Sequence, residues 1–161
     1  MAITEEFVPV IEGVSALLPK YKSRLENLES EVLNARRNSQ GRSIKQIIGH
    51  MIDSASNNTH RIVHLQYRRS PVDFPNYATN GNNDRWIAIQ KFQDEDWKIL
   101  LGLWEYSHLH LVHVIRNIGE ENLERAWINA PGHSVTLHDM VVDFLRHFNL
   151  HLDEIDELIN R

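Results

Sequence analysis

Thr136-Leu137-His138-Asp139-Met140-Val141-Val142-Asp143-Phe144-Leu145-Arg146-His147-Phe148-Asn149-Leu150-His151-Leu152 is the stretch that decides the fold. Val141, Phe144, Phe148 and Leu152 recur in steps of three and four, and Ile155 and Ile159 extend the row. That period belongs to one face of a helix packed on a core. The pattern predicts a helix from Thr136 to the C-terminus. Working outward, three more segments read the same way. Ser43-Ile44-Lys45-Gln46, just after Gly41, has the form of a capping box. The helix it opens carries Ile47, Ile48, Met51, Ile52, Ala55, Ile62 and Leu65 and is expected to run to about Arg69. A third helix is expected from near Asp94, where Asp94, Glu95 and Asp96 suit a helix N-terminus, to Gly119 as its C′ residue. A first helix is expected over residues 4–34, with Pro9 tolerable in the first turns and Pro19 kinking or breaking it.

Between these lie two loops. Residues 70–84 hold Pro71, Pro75, Gly81 and a run of asparagines and aspartates, followed by a short helix over 86–92. Residues 127–134, with Pro131-Gly132, read as a second loop. Four long amphipathic helices and two loops make an all-α, antiparallel four-helix bundle with a long loop between helices 2 and 3. At 161 residues, residues 1–161 fit one domain.

The composition narrows the chemistry. With no cysteine there is no disulfide, no thiolate ligand and no cysteine nucleophile, so imidazole and carboxylate are the strong ligands left. A formal charge of −5 offers no basic face for nucleic acid. No apolar run approaches the roughly 20 residues that span a bilayer, and the start does not read as a signal peptide, so a cytoplasmic location without a membrane partner is expected.

Ten histidines invite sorting by helix face. Projected at about 100° per residue, His151 falls inside the apolar arc of the last helix, about 50° from its centre, and His147 sits at the rim, about 90° away. His50 lies at the rim of the second helix's arc, whereas His60 and His64 point nearly opposite, toward water. Residues four apart place His147 and His151 on one side, one turn apart. With His50 they would form a set of three nitrogens that leaves positions free for water or substrate. The same placement also suits boundary histidines satisfied by hydrogen bonds. Ser54, Asn57 and Arg61 continue a polar stripe down the side of the helix that carries His50.

Ser43-Ile-Lys-Gln-Ile-Ile-Gly-His50-Met-Ile-Asp53-Ser-Ala-Ser-Asn57-Asn58, Phe74-Pro75-Asn76-Tyr77, Trp86-Ile-Ala-Ile-Gln90, Val135-Thr-Leu and Asp143-Phe-Leu-Arg-His147-Phe-Asn-Leu-His151 together resemble the DinB-like superfamily of small metal-dependent enzymes. That group includes bacterial thiol-dependent S-transferases. The resemblance implies an up-down-down-up bundle and one divalent metal ion, zinc or nickel first, bound by His50, His147 and His151. Asp53 matches a recurrent position and, with Glu154, is a candidate for contact with the ligands rather than the ion, although its projection away from the apolar arc fits a solvated carboxylate equally. His108 is the substitute ligand nearest an apolar face; His110 and His113 project away from it. The resemblance also suggests a homodimer, for which four tryptophans could supply surface anchors.

Two functions follow. One is an enzyme using the metal as a Lewis acid for thiol transfer or hydrolysis of a small molecule, with Asp53, Glu154 and the other histidines as undifferentiated candidates for general base. The other is a non-catalytic metal-binding or stress-response module on the same bundle. Three ligating histidines with an ordinary pKa of about 6.5 should make metal binding fade as pH falls toward 5.

Overall fold

The structure, a computed structural model, describes residues 3–161. Helix α1, Val8–Leu25, follows a short 3-10 turn that buries Phe7. Pro9 occupies its first turn, where no backbone N–H is required. Pro19 lies inside the helix without ending it, so of the kink or break expected the break does not occur. It sits on the exposed side of the helix, and its ring removes the N–H that would bond to the Ser15 carbonyl. The chain breaks instead after Leu25, and residues 30–34 form a separate short helix α2, Ser30–Asn34.

Helix α3, Ile44–Tyr67, opens on a complete capping box. Ser43 Oγ accepts from the Gln46 N–H, and Gln46 Oε1 accepts from the Ser43 N–H at 3.0 Å. Helix α4, Asn82–Gln90, starts after Gly81, whose φ of 77° requires a residue free of a Cβ clash. A 3-10 turn over Phe92–Asp94 leads into helix α5, Trp97–Arg116, capped by Asp96, which accepts from the N–H groups of Lys98 and Ile99. Gly119 is not the expected left-handed cap, since its φ is −73° and α5 has already ended at Arg116. Helix α6, Leu137–Ile159, begins with Thr136 accepting from the Asp139 N–H.

The described chain is therefore mostly helical but not all-α. Residues 127–134, expected as a loop, contribute to a hairpin of β2, Ala126–Ile128, and β3, Ser134–Thr136, turned by Gly132 at φ 88°. Strand β1, Val72–Asp73, from the long loop, pairs in parallel with β2, Val72 opposite Trp127. Strands of two and three residues are too short to show a period of two.

The four long helices form a ring. Helix α5 packs on α1 and α3, and α6 packs on the same two from the other side. Tyr21 donates to Asp156 at 2.6 Å and Arg24 pairs with it at 2.7 Å, tying α1 to α6. The core inside includes Trp104 and Phe148, nearly parallel rings with centroids 6.2 Å apart. Helix α4 lies against α3, and the buried Arg42 donates twice to Asp84 Oδ1, at 3.1 and 2.7 Å, to hold it there. No helix among the described residues is long and apolar enough to cross a membrane. Three of the four tryptophans make contacts within the chain, Trp104 buried, Trp97 donating to the Leu25 carbonyl and Trp127 stacking on Arg61, while Trp86 is exposed.

Gly49, one residue before His50, faces Phe92, and a Cβ there would lie 2.2 Å from the ring. Gly49→Ala should therefore lose about 1–3 kcal/mol of stability in urea denaturation, the usual cost of overpacking. In the double variant with Phe92→Ala the two losses should be less than additive, because the second removes the clash that the first creates.

Candidate metal centre

Periodicity places His50 on the side of α3 that meets α6, and His147 and His151 one turn apart on the side of α6 that meets α3. The structure brings the three together. Each offers a ring nitrogen, and these atoms all lie within 4.8 Å of one another. His147 Nε2 and His151 Nε2 are 3.1 Å apart, and the His50 ring meets His151 edge to face at 4.8 Å between centroids. His50 and His151 are each only 5% exposed, and His147 is half-buried.

Electrostatics prepare the set to act as neutral donors. Burial, reinforced by His151, Arg42 and His147, pushes His50 down to about 3. Burial and the neighbouring His151 push His147 down to about 4. Both sit below their unfolded value, so their contribution to stability is present above about pH 6.5 and is lost as pH falls toward 4 and below. Folding, rather than ion binding, has already removed these two protons. The loss of metal affinity expected to begin near pH 6.5 is moved to lower pH for both.

The third ring is oriented from behind. Glu154 Oε2 accepts from His151 Nδ1 at 2.9 Å, which leaves Nε2 directed at the cluster, where it meets His147 Nε2. His50 Nδ1 is buried without a hydrogen-bond partner. His147 and His151 hydrogen-bond each other and Glu154, whereas the His50 nitrogen is orphaned beside them, and a nitrogen set of this kind suits a borderline divalent cation. The residues fit the ion that the sequence implied.

His108 is not part of the set. Its Nδ1 donates to the Trp104 carbonyl at 2.6 Å, its Nε2 is buried without a partner, and burial pushes its pKa down to about 4. His60 and His64 face outward and hydrogen-bond each other at 2.9 Å. Asp53, which fitted a solvated position in the sequence, is 3% exposed because α4 folds over that side of α3. It accepts from Gln90 Nε2 at 2.7 Å and makes no hydrogen bond to the imidazoles.

A cleft of about 380 Å³ opens beside His147. Ser54 and Arg61 of the anticipated polar stripe line it, with Asn58 in place of Asn57, which borders a neighbouring cleft. Tyr77 from the long loop and Trp127 from β2 close its walls. The Phe74-Pro75-Asn76-Tyr77 stretch was visible in the sequence, but its approach to α3 depends on strand pairing that was not.

The fold and the cluster define a class: a helical bundle with a buried three-histidine group between two of its helices. A sequence profile described as DinB superfamily matches residues 16–155, and the chain belongs to that superfamily. No curated protein matches it in sequence. Among solved structures it is similar to YfiT from Bacillus subtilis, a probable metal-dependent hydrolase with an unusual four-helix bundle topology. That match has a TM-score of 0.83 and 18% identity, over 99% of this chain and 90% of that one. It is also similar to the mycothiol-dependent maleylpyruvate isomerase, with TM-scores of 0.74 for a mutant and 0.67 for a second structure, each at 14% identity. These cover 92% and 95% of this chain but only 60% and 59% of the isomerase, so the chain spans about three fifths of that enzyme's length.

Burial raises the Asp53 carboxyl from 3.8 to about 6, partly offset by the Gln90 hydrogen bond. Its folded pKa lies above the unfolded one, so the associated stability is present below about pH 4 and lost as pH rises through 6. Asp53→Asn should consequently be more stable than the parent above pH 6, by on the order of 1–3 kcal/mol, with the gain vanishing below pH 4. Thermal or urea denaturation across pH 4–8 checks this. A variant destabilised at every pH would assign the carboxylate a structural partner instead.

Proposed function

We propose that His50, His147 and His151 hold one divalent metal ion, zinc or nickel, and that the chain is an enzyme acting on a small molecule in the adjoining cleft by thiol transfer or hydrolysis. The observation that carries this reading is the convergence of the three imidazoles beside an open cleft. The likeness to YfiT and to the mycothiol-dependent isomerase supports it at the level of the fold. The ion would supply Lewis acidity, lowering the pKa of a coordinated water or thiol or polarising a carbonyl.

The chain's own groups do the rest. Burial keeps His50 and His147 deprotonated at neutral pH, and Glu154 fixes the tautomer of His151. Being committed to His151, Glu154 is a poor candidate for general base, and Asp53 faces a different cleft, toward Trp86 and Gln90. The carboxylates that line the cleft beside His147 are Asp139 and Asp143; Asp143 is held by Arg146 through both oxygens, which leaves Asp139, in only a 3.3 Å contact with His138, as the freer candidate to take a proton from water or a thiol entering it. Tyr77, Trp127 and Phe144 keep bulk water from one side of it. An up-down-down-up course of the four long helices within one domain, a cytoplasmic setting and a homodimer complete the proposal. The dimer is supported by Ile99, Leu103, Tyr106 and Leu109, an exposed apolar stripe on α5.

His147→Ala and His151→Ala should each cut metal occupancy at least tenfold in elemental analysis after gel filtration, because two imidazoles hold such an ion poorly. His60→Ala and His64→Ala should bind as the parent does. Retention by the first pair together with loss in the second would place the ion elsewhere.

A further inference from the structure

Arg61 is a buried cation with no acid to neutralise it. It is 7% exposed, yet among the described residues no carboxylate lies within ion-pair distance of its guanidinium. A buried guanidinium is ordinarily paired, because the desolvation it suffers is otherwise uncompensated. Burial does lower the pKa of Arg61, but an arginine remains charged at neutral pH. Two aromatic faces hold it: its Cζ lies 3.9 Å from the centroid of Trp127 and 5.1 Å from that of Tyr77. Cation–π contact and a polar contact with the Tyr77 hydroxyl offset part of the cost, and no carboxylate among the described residues takes the remaining N–H donors of the planar fork.

The rings that hold Arg61 belong to one cleft. Arg61 borders two clefts, but both Trp127 and Tyr77 wall the one that contains His147, and neither walls the other. The rest of that wall is mixed: Asn58 and Asn129 bring amides, while Met140, Val135 and Phe144 bring apolar surface. Asp139 and Asp143 also line it and disfavour a dianion. At about 380 Å³ the space suits a small ligand.

We propose that Arg61, clamped between Trp127 and Tyr77, is a recognition site for the carboxylate of a small organic acid with an apolar body. This inference deepens the functional reading above: it rests on the cleft being the substrate site, and it names the substrate class. A guanidinium meets a carboxylate through two parallel hydrogen bonds, and the aromatic and aliphatic wall then receives the body of the molecule. In the same cleft the His147 side of the three-histidine cluster would face the part of the ligand beyond the carboxylate.

The test uses chelator-treated, metal-free protein with benzoate as the probe, benzamide as its neutral isostere and inorganic phosphate as the competing anion. Binding is followed by calorimetry and by the indole N–H resonance of Trp127. Benzoate should saturate, shift the Trp127 resonance, and bind at least tenfold more tightly than benzamide or phosphate. Arg61→Met should weaken benzoate at least tenfold, with Arg61→Lys intermediate because a point charge lacks the fork. Should Arg61→Met fail to fold, the comparison of benzoate with benzamide on the parent protein decides alone. Equal affinity for benzamide, no saturable benzoate binding, or an unchanged affinity in folded Arg61→Met would each overturn the proposal; tighter binding of phosphate would overturn the choice of a carboxylate. His60→Ala, in the other cleft, should keep benzoate affinity within threefold, and a tenfold loss there would overturn the assignment to the cleft beside His147. Because the benzoate assay is run without metal, full metal occupancy in a separately loaded His151→Ala would count against the metal reading and leave this one standing.

Discussion

Three imidazoles side by side between α3 and α6, two of them buried and one half-buried, impose a condition on the surrounding chain: at least two of them must stay uncharged. Charged rings at these separations would repel one another in a medium that screens them poorly. The surroundings meet the condition in different ways. Arg42, itself buried and anchored to Asp84, adds positive potential on the His50 side. Glu154 takes the Nδ1 proton of His151 in a hydrogen bond and so directs its Nε2 inward. The packing of α6 against α3 then sets how far apart the nitrogens lie, which makes interhelical packing a determinant of the donor geometry.

The cover over this seam comes from the segments between the long helices. Arg42 ties α4 down onto α3, which buries Asp53 and keeps Gln90 within reach of it. The small sheet carries Trp127 across to Arg61, and the long loop brings Tyr77 to its other face. A loop stapled to the bundle by two backbone strand pairings thereby supplies two walls of the cleft. Helices provide the donors, and the connections shape what reaches them.

Much of this was legible in the sequence wherever a periodic pattern exposed it. The row from Val141 to Ile159 located α6 and with it the inward placement of His147 and His151. Ser43 and Gln46 located the start of α3 and hence the phase of His50. What escaped depended on contacts between segments distant in the chain. Asp53 projects away from the apolar arc of its own helix, and only the arrival of α4 buries it. Trp127 reads as a loop residue because a three-residue strand has no detectable alternation. Pro19 should kink or break a helix by local rules, yet the packed helix runs on through it to Leu25. The metal-ligand role of the histidines is supported by facing and resemblance, while the unpaired state of Arg61 could be known only with its neighbours in place.

The central claim is that one ion sits among His50, His147 and His151. Crystals of protein loaded with zinc or nickel, measured on both sides of the absorption edge of the metal, test it directly. The account predicts a single strong anomalous peak bonded to a nitrogen of each of the three rings, with at least one further position open toward the cleft beside His147. A peak on His60 and His64, or density among the three rings without anomalous signal, would contradict it.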